Sequence, residues 1–244
     1  MDRLQALHIV TEVEDTYDSI AAHFSQSRWK LWDDLEYFRP YIHEGQAVLD
    51  VGCGNGRLVE LFKDTPITYV GVDSSAGLIA EAKKKDFTVS FTPEFVRGSL
   101  LDLNGVSGSY DLVLLISVLQ HIPKPLHDQA IDNIVSKMKP GGVLLMTNWN
   151  LWQRKYIRNV ITSLRYSKEE REKGFGYKDV LVHYQQNADI GGRQYRYHYA
   201  FTRRDIAKLL KRHGFKIEHN MYTDKYSKSH RLQGRNILTI ARLH

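Results

Sequence analysis

Residues 47–57 read Ala47-Val48-Leu49-Asp50-Val51-Gly52-Cys53-Gly54-Asn55-Gly56-Arg57, and this stretch decides the fold. Ala47 to Val51 is a short, mostly apolar run of the kind a buried parallel strand requires. It empties into glycines at alternate positions, which let the backbone turn sharply and approach a ligand closely. The pattern Asp50-x-Gly52-x-Gly54-x-Gly56 departs from the dinucleotide fingerprint G-x-G-x-x-G, because its third glycine arrives one residue early. A second apolar run, Thr68 to Val72, ends in Asp73, the usual place for an acid that accepts both hydroxyls of a ribose. A glycine turn after one strand and an acid after the next point to a nucleotide-like ligand. The glycine spacing speaks against NAD.

Outward from this pair, apolar runs and amphipathic segments alternate. Leu58, Leu61 and Phe62 fit a helix whose N-terminus meets the ligand, and Ser74-Ser75 caps a helix over Leu78–Lys85. Glu94–Gly98 reads as a third strand and Tyr110–Ser117 as a central buried one. Asp128–Met138 is an amphipathic helix, and Val143–Thr147 is a fifth strand. This rhythm predicts an α/β, Rossmann-like, doubly wound and mostly parallel sheet. Residues 148–200 interrupt it as an insertion, rich in Arg and Lys, that ends in the stripe Tyr195-Arg196-Tyr197-His198-Tyr199. We read that stripe as a substrate wall. Thr202 then caps a helix that Gly214 ends, and Phe215–Tyr222 and Asn236–Leu243 close the chain as strands. Ahead of the first strand, residues 1–45 read as a partly helical segment in which Ile20, Phe24 and Trp32 face a core, and in the family resembled below such a segment is an N-terminal helical lid over the ligand. No linker separates a second domain, so residues 1–244 read as one domain.

The composition narrows the class. One cysteine in 244 residues excludes an intrachain disulfide and fits a reducing compartment. The early acids Glu12, Glu14, Asp15 and Asp18 are unlike a signal peptide, and the longest apolar run, Leu112–Leu119, is too short to cross a bilayer. A cytoplasmic protein without a membrane partner is expected. The net charge of +6 divides unevenly, with −7 in residues 1–150 and +13 in residues 151–244. Nine of the 14 tyrosines also lie in the basic part. Basic and aromatic side chains together fit a polyanion such as RNA, gripped through phosphates and stacked bases. A solvated basic surface without a partner is the plainer alternative.

Val48–Gly56 and Gly71–Ser74 resemble the first two motifs of the class I S-adenosylmethionine (SAM)-dependent methyltransferases. The resemblance implies a seven-stranded sheet with SAM as cofactor and no metal. It also implies a cofactor site built from Asp50, Gly52, Cys53, Gly54, Asn55, Gly56, Asp73, Ser74, Ser99, Leu100 and Ser117. Arg28 is placed to pair with the cofactor's carboxylate, or is an exposed basic residue near a helix end. Many relatives carry an aspartate right after the third strand's glycine to bond the adenine amino group; here that residue is Ser99, with Asp102 three positions on. A narrower resemblance rests on His23-Phe24-Ser25-Gln26-Ser27-Arg28-Trp29-Lys30-x-Trp32, joined to the glycine turn and to Asp73-x-Ser75-x-Gly77-Leu78-Ile79. It is similar to the tRNA wobble-uridine carboxymethyl methyltransferases, which also occur fused to an AlkB homologue. That family turns a tRNA carboxymethyluridine into its methyl ester, and its eukaryotic members use a small zinc-binding activator protein. The chain departs from it at His198-Tyr199, where the family has Tyr then His, and in its compact insertion.

The chemistry implied needs little from the protein beyond positioning. A carboxylate acceptor is already anionic at neutral pH and requires no general base. It requires cationic and hydrogen-bonding partners, for which Arg196, Tyr197, His198 and His23 are the candidates. Two other readings use the same residues: methylation of a small acidic metabolite, and a SAM-binding subunit without turnover.

Overall fold

Apolar side chains at alternate strand positions give this sheet two faces to bury, and helical segments between the strands bury both. The computed structural model of the chain describes residues 1–27, 30–166, 168–172, 174–183, 195–225 and 227–244. Helix α1 (Arg3–Ser19) and helix α2 (Ala21–Ser27) lead into a 3-10 segment, Asp33–Tyr41. Strand β1 (Ala47–Val51), strand β2 (Thr68–Asp73), helix α3 (Ala76–Lys83), strand β3 (Glu94–Arg97) and strand β4 (Tyr110–Ile116) follow. Helix α4 (His127–Ser136) returns the chain to β5 (Met138–Trp149). Next come helices α5 (Ile157–Thr162) and α6 (Lys168–Glu172), then strands β6 (Asp179–His183) and β7 (Tyr195–Tyr199). Helix α7 (Arg203–Arg212) precedes β8 (Phe215–Asp224), β9 (Ser227–Ser229) and β10 (Asn236–Leu243).

The main sheet has the order β3-β2-β1-β4-β5-β10-β8-β9. Pairing is parallel from β3 through β5, and β10 is antiparallel to both β5 and β8. The seven expected strands are therefore present, and β9 adds a short eighth at the edge beside β8. Its sequence, Ser-Lys-Ser, carries no apolar signal to read. β6 and β7 pair antiparallel in a separate two-stranded sheet within the segment read as an insertion.

Period-two alternation divides the core. Leu49, Val51, Val113, Leu115, Leu144 and Met146 face α1, α4 and α7. Val48, Leu112, Leu114, Val143 and Leu145 face the 3-10 segments and α3. The segment after the glycine turn, Arg57–Phe62, is 3-10 rather than the α-helix expected. It is six residues long and has no side-chain cap, whereas α3 is capped by Ser75 and α7 by a Thr202–Asp205 capping box. α1 begins with a capping box between Asp2 and Gln5, and its buried Ala6, Ile9, Val10 and Val13 are spaced for one helical face.

One buried carboxylate ties the N-terminal segment to the far end of the sheet. Asp34 is 3% exposed and accepts from Thr223 Oγ1 on β8 at 2.8 Å and Asn236 Nδ2 on β10 at 2.7 Å. Replacing it by alanine strands two donors in the interior. Asp34→Ala should lower unfolding stability in a urea titration by about 2–4 kcal/mol, with an unchanged denaturant slope.

Candidate active site

A cavity opens at the carboxyl ends of β1, β2 and β4, where ligands of such sheets bind, and α1 closes it from above. Its empty space is about 1150 Å³, counted out to open solvent at the mouth. Val10, Val13, Glu14 and Tyr17 line it from α1. These positions follow helical spacing, so one stripe of the helix faces the cavity. The lid is latched at its end: Asp18 Oδ1 accepts from Ser75 Oγ and from the Gly77 amide, each at 2.7 Å. The closeness of that latch requires glycine at 77, because a Cβ there would lie 2.8 Å from the Ala21 Cβ.

The glycine turn forms the cavity floor. Gly52, Gly54 and Gly56 have φ values of +74°, +56° and +73°, in the left-handed region that disfavours other residues. A Cβ on Gly52 would also strike Val118 Cγ2 at 2.2 Å. Gly54 is more open, with Phe24 as its nearest neighbour at 3.9 Å from the Cβ position. Asp73 braces the turn: Oδ2 accepts from the Gly54 amide at 2.8 Å and Oδ1 from the Ser75 amide at 3.0 Å. Burial pushes its pKa up to about 6, opposed by those two amide bonds and reinforced by the charges of Glu14 and Asp18. Open backbone beside a half-buried carboxylate with acceptor capacity left over can receive the donors of a polar ligand. Cys53 is buried and its thiol is held protonated by burial, so it packs rather than reacts.

In the same cavity a chain of hydrogen bonds fixes a cation. Arg196 Nη1 donates to Tyr17 Oη at 2.8 Å, and Tyr17 Oη lies 3.0 Å from His121 Nε2. His121 Nδ1 lies 2.9 Å from the Tyr197 carbonyl, which only accepts, so Nδ1 carries the proton. Burial, with Arg196 adding, lowers the His121 pKa to about 3. A neutral ring leaves Nε2 as acceptor, and Tyr17 donates to it. The guanidinium also lies over the rings of Tyr17 at 5.3 Å and Trp149 at 5.7 Å. Ser117, beside the cavity, has φ of +61° and a buried hydroxyl without a partner, which is backbone strain located at the site.

The cavity brings together Gly52, Cys53, Gly54, Asn55, Asp73, Ser74, Ser99, Leu100, Ser117 and Arg196 from the expected set. Asn55 turns its side chain to α2, donating to Ser25 O and Oγ at 3.3 and 3.2 Å. Asp50 and Gly56 do not line it: Asp50 is fully buried and accepts from Tyr69 Oη at 2.6 Å, and burial raises it to about 7. Alternation along β7 separates the remaining candidates. Arg196 and His198 share a face, whereas Tyr197 turns into the core, donates to Asp179 and stacks on Phe175. His198 is fully buried, held neutral by burial and by the nearby His121 and Arg196, and stacked on Trp149 at 5.2 Å. Expected among the cationic and hydrogen-bonding partners of the acceptor, it does not line the cavity and packs on Trp149, which does. His23 is half-buried on α2 and does not line the cavity, and Arg28 lies outside the described residues. Sequence reasoning missed Glu14, Tyr17 and Trp149; the spacing of Val10, Val13, Glu14 and Tyr17 was the available signal for the first two. Among the described residues no helix is long and apolar enough to cross a membrane, and no cluster of His, Cys, Asp or Glu could hold a metal.

A parallel sheet with a glycine turn, a ribose-type acid and a lidded cleft defines a nucleotide-cofactor transferase. The model of a methyltransferase domain matches residues 21–220, and the chain belongs to that family. Its fold is of the Rossmann-like methyltransferase class. The chain is 30% identical over 188 residues to the tRNA (carboxymethyluridine(34)-5-O)-methyltransferase ALKBH8 of Macaca fascicularis, covering 74% of this chain and 27% of that one. It is 32% identical over 142 residues to the tRNA (carboxymethyluridine(34)-5-O)-methyltransferase of Saccharomyces cerevisiae, covering 58% and 49%. The chain thus spans at most about half the length of these curated relatives. Its fold is similar to a SAM-dependent methyltransferase from Methanosarcina mazei, with a TM-score of 0.64 at 20% identity, over 85% of this chain and 96% of that one. It is also similar to a Haloferax volcanii methyltransferase solved in complex with the Trm112 activator, with a TM-score of 0.63 at 16% identity, over 95% and 98%.

The family resemblance gives Asp73 two ribose hydroxyls to accept, a role that needs it ionised, and its pKa in the folded protein is above the ordinary carboxylate value. Affinity for SAM is therefore full above about pH 7 and falls as pH drops through about 6, by about 5- to 10-fold per unit. Calorimetric titrations across this range should show that fall, and Asp73→Asn should bind weakly throughout with most of the slope gone.

Proposed function

We propose that the chain methylates the carboxylate of a carboxymethyl-type modified wobble uridine in tRNA, forming its methyl ester. The observation that carries this reading is Arg196, a guanidinium held by Tyr17 that lines the same cavity as Asp73. A planar cation with fixed donors is suited to a carboxylate. SAM, when bound, supplies a methyl group on a positively charged sulfur. Arg196 would hold the carboxylate that receives this methyl group, with Tyr17 fixing the guanidinium. No proton moves, so the neutral His121 serves as an orienting acceptor rather than a base. In this reading the Gly52–Asn55 turn receives the methionine part, Asp73 the ribose and Ser74, Ser99 and Leu100 the adenine side.

The tRNA part draws on the relatives' names and on the surface around the mouth. A second, open cleft shares Trp32 and Trp149 with the first, and it adds Lys30, Lys155, Tyr156, Lys225 and Arg235. Trp149 and Tyr156 stack at 6.1 Å, giving an aromatic platform edged by cations. A small activator protein belongs to the proposal as well, supported by the likeness to the Haloferax volcanii methyltransferase.

The test separates acceptor from cofactor. Arg196→Ala should lower kcat/KM for tRNA methylation about 100-fold or more while SAM affinity changes less than about 3-fold. Equal losses would remove Arg196 from the acceptor side. Methylation by the wild type should also weaken steeply with salt, as a polyanionic substrate demands; salt-independent turnover would favour a small acidic metabolite.

A further inference from the structure

SAM carries an adenine whose 6-amino edge offers two hydrogen-bond donors, and a cavity that selects adenine places an acceptor there. This inference rests on the proposed placement of the ribose at Asp73, which would leave the adenine to the lining residues Ser74, Gly98, Ser99 and Leu100 and to Val10 and Val13 of α1. That region contains apolar surface for the ring faces. Two carboxylates stand near its polar edge. Asp102 is exposed and caps its own turn, accepting from the Asn104 amide at 3.0 Å, and it does not line the cavity. Glu14 does line it, with Oε1 3.4 Å from Ser99 Oγ.

We infer that Glu14, carried on the lid helix, accepts the 6-amino group of the SAM adenine and so selects an adenine cofactor. The position follows from α1 itself: Val10, Val13, Glu14 and Tyr17 face the cavity together, so the same helix covers the ring, meets its polar edge and, through Tyr17, orients Arg196. Ser99 is too short to serve as the acceptor acid, and its hydroxyl instead accepts from the Leu101 amide at 3.3 Å beside Glu14. Burial raises the Glu14 pKa, while the Ser74 and Ser99 hydroxyls and the charge of Arg97 oppose the shift. Glu14 and Asp73 line the same cavity, and the charge of Glu14 adds to the upward shift of Asp73. A ligand that brings donors to both relieves that cost. The lid and the cofactor are thereby coupled: the helix that closes the cavity carries a contact the cofactor completes.

The test uses binding, independently of any methyl acceptor. S-adenosylhomocysteine is compared calorimetrically with S-inosylhomocysteine, which has a 6-oxo group and no amino donors. The wild type should prefer the adenosyl ligand by about 10- to 100-fold, the range for a hydrogen bond to a charged group. Glu14→Gln should lose most of that preference, because an amide can donate to the 6-oxo group. A rescue variant moves the acid to the loop: Glu14→Ala combined with Ser99→Asp should recover adenosyl preference that Glu14→Ala alone lacks. Equal weakening of both ligands in Glu14→Gln would mean that Glu14 only shapes the lid, and unchanged preference would remove it from the adenine. Either result overturns the inference, as does a double variant no more selective than Glu14→Ala.

Discussion

The carboxylate of Asp73 accepts amide protons from two turns at once, Gly54 after β1 and Ser75 before α3. Everything at the cofactor end depends on this bracing. It fixes the glycine turn against β2, which Gly52 and Cys53 reinforce by donating to the Val72 carbonyl at 2.7 and 3.0 Å. It also presents Ser75 to α3, where its hydroxyl caps the helix and donates to Asp18 of the lid. One acid thus joins floor, sheet and lid, and burial holds it near a pKa where ligand charge can shift it.

The part of the cavity around Arg196 is organised by proton direction. Because the Tyr197 carbonyl can only accept, the His121 tautomer is fixed, the Tyr17 hydroxyl must donate to it, and the Tyr17 lone pairs are left for Arg196. A neutral imidazole in this place costs no buried charge and leaves Arg196 as the cation of that trio. The geometry suits an acceptor that arrives ionised and needs orientation and charge stabilisation more than proton transfer.

How much of this could be read from the sequence depends on how local the cause is. The β1 run, its glycines and Asp73 were legible because buried strands and left-handed turns restrict residue types directly. The lid was legible as a helix in outline, but its cavity face is shared among Val10, Val13, Glu14 and Tyr17, which also resemble an ordinary amphipathic stripe. β7 was misleading for a physical reason: Arg196 to Tyr199 are all buried, so polar and aromatic residues alternate without an exposed face to set the phase. Only the pairing with β6 and the packing of Tyr197 on Phe175 decide that Arg196 points to the cavity. Asp50 shows the same limit, since a strand end next to the turn can face either the ligand or, as here, Tyr69.

The proposed reaction is esterification of a tRNA carboxylate in the lidded cavity that Asp73 and Arg196 line. The direct measurement is transfer of labelled methyl from SAM to tRNA bearing carboxymethyl-type wobble uridine, with the activator protein present, followed by mild alkali. The account predicts label that enters the tRNA and is released by alkali, as a methyl ester must be. Label that survives alkali, placed on a nitrogen, a carbon or a ribose oxygen, would contradict it.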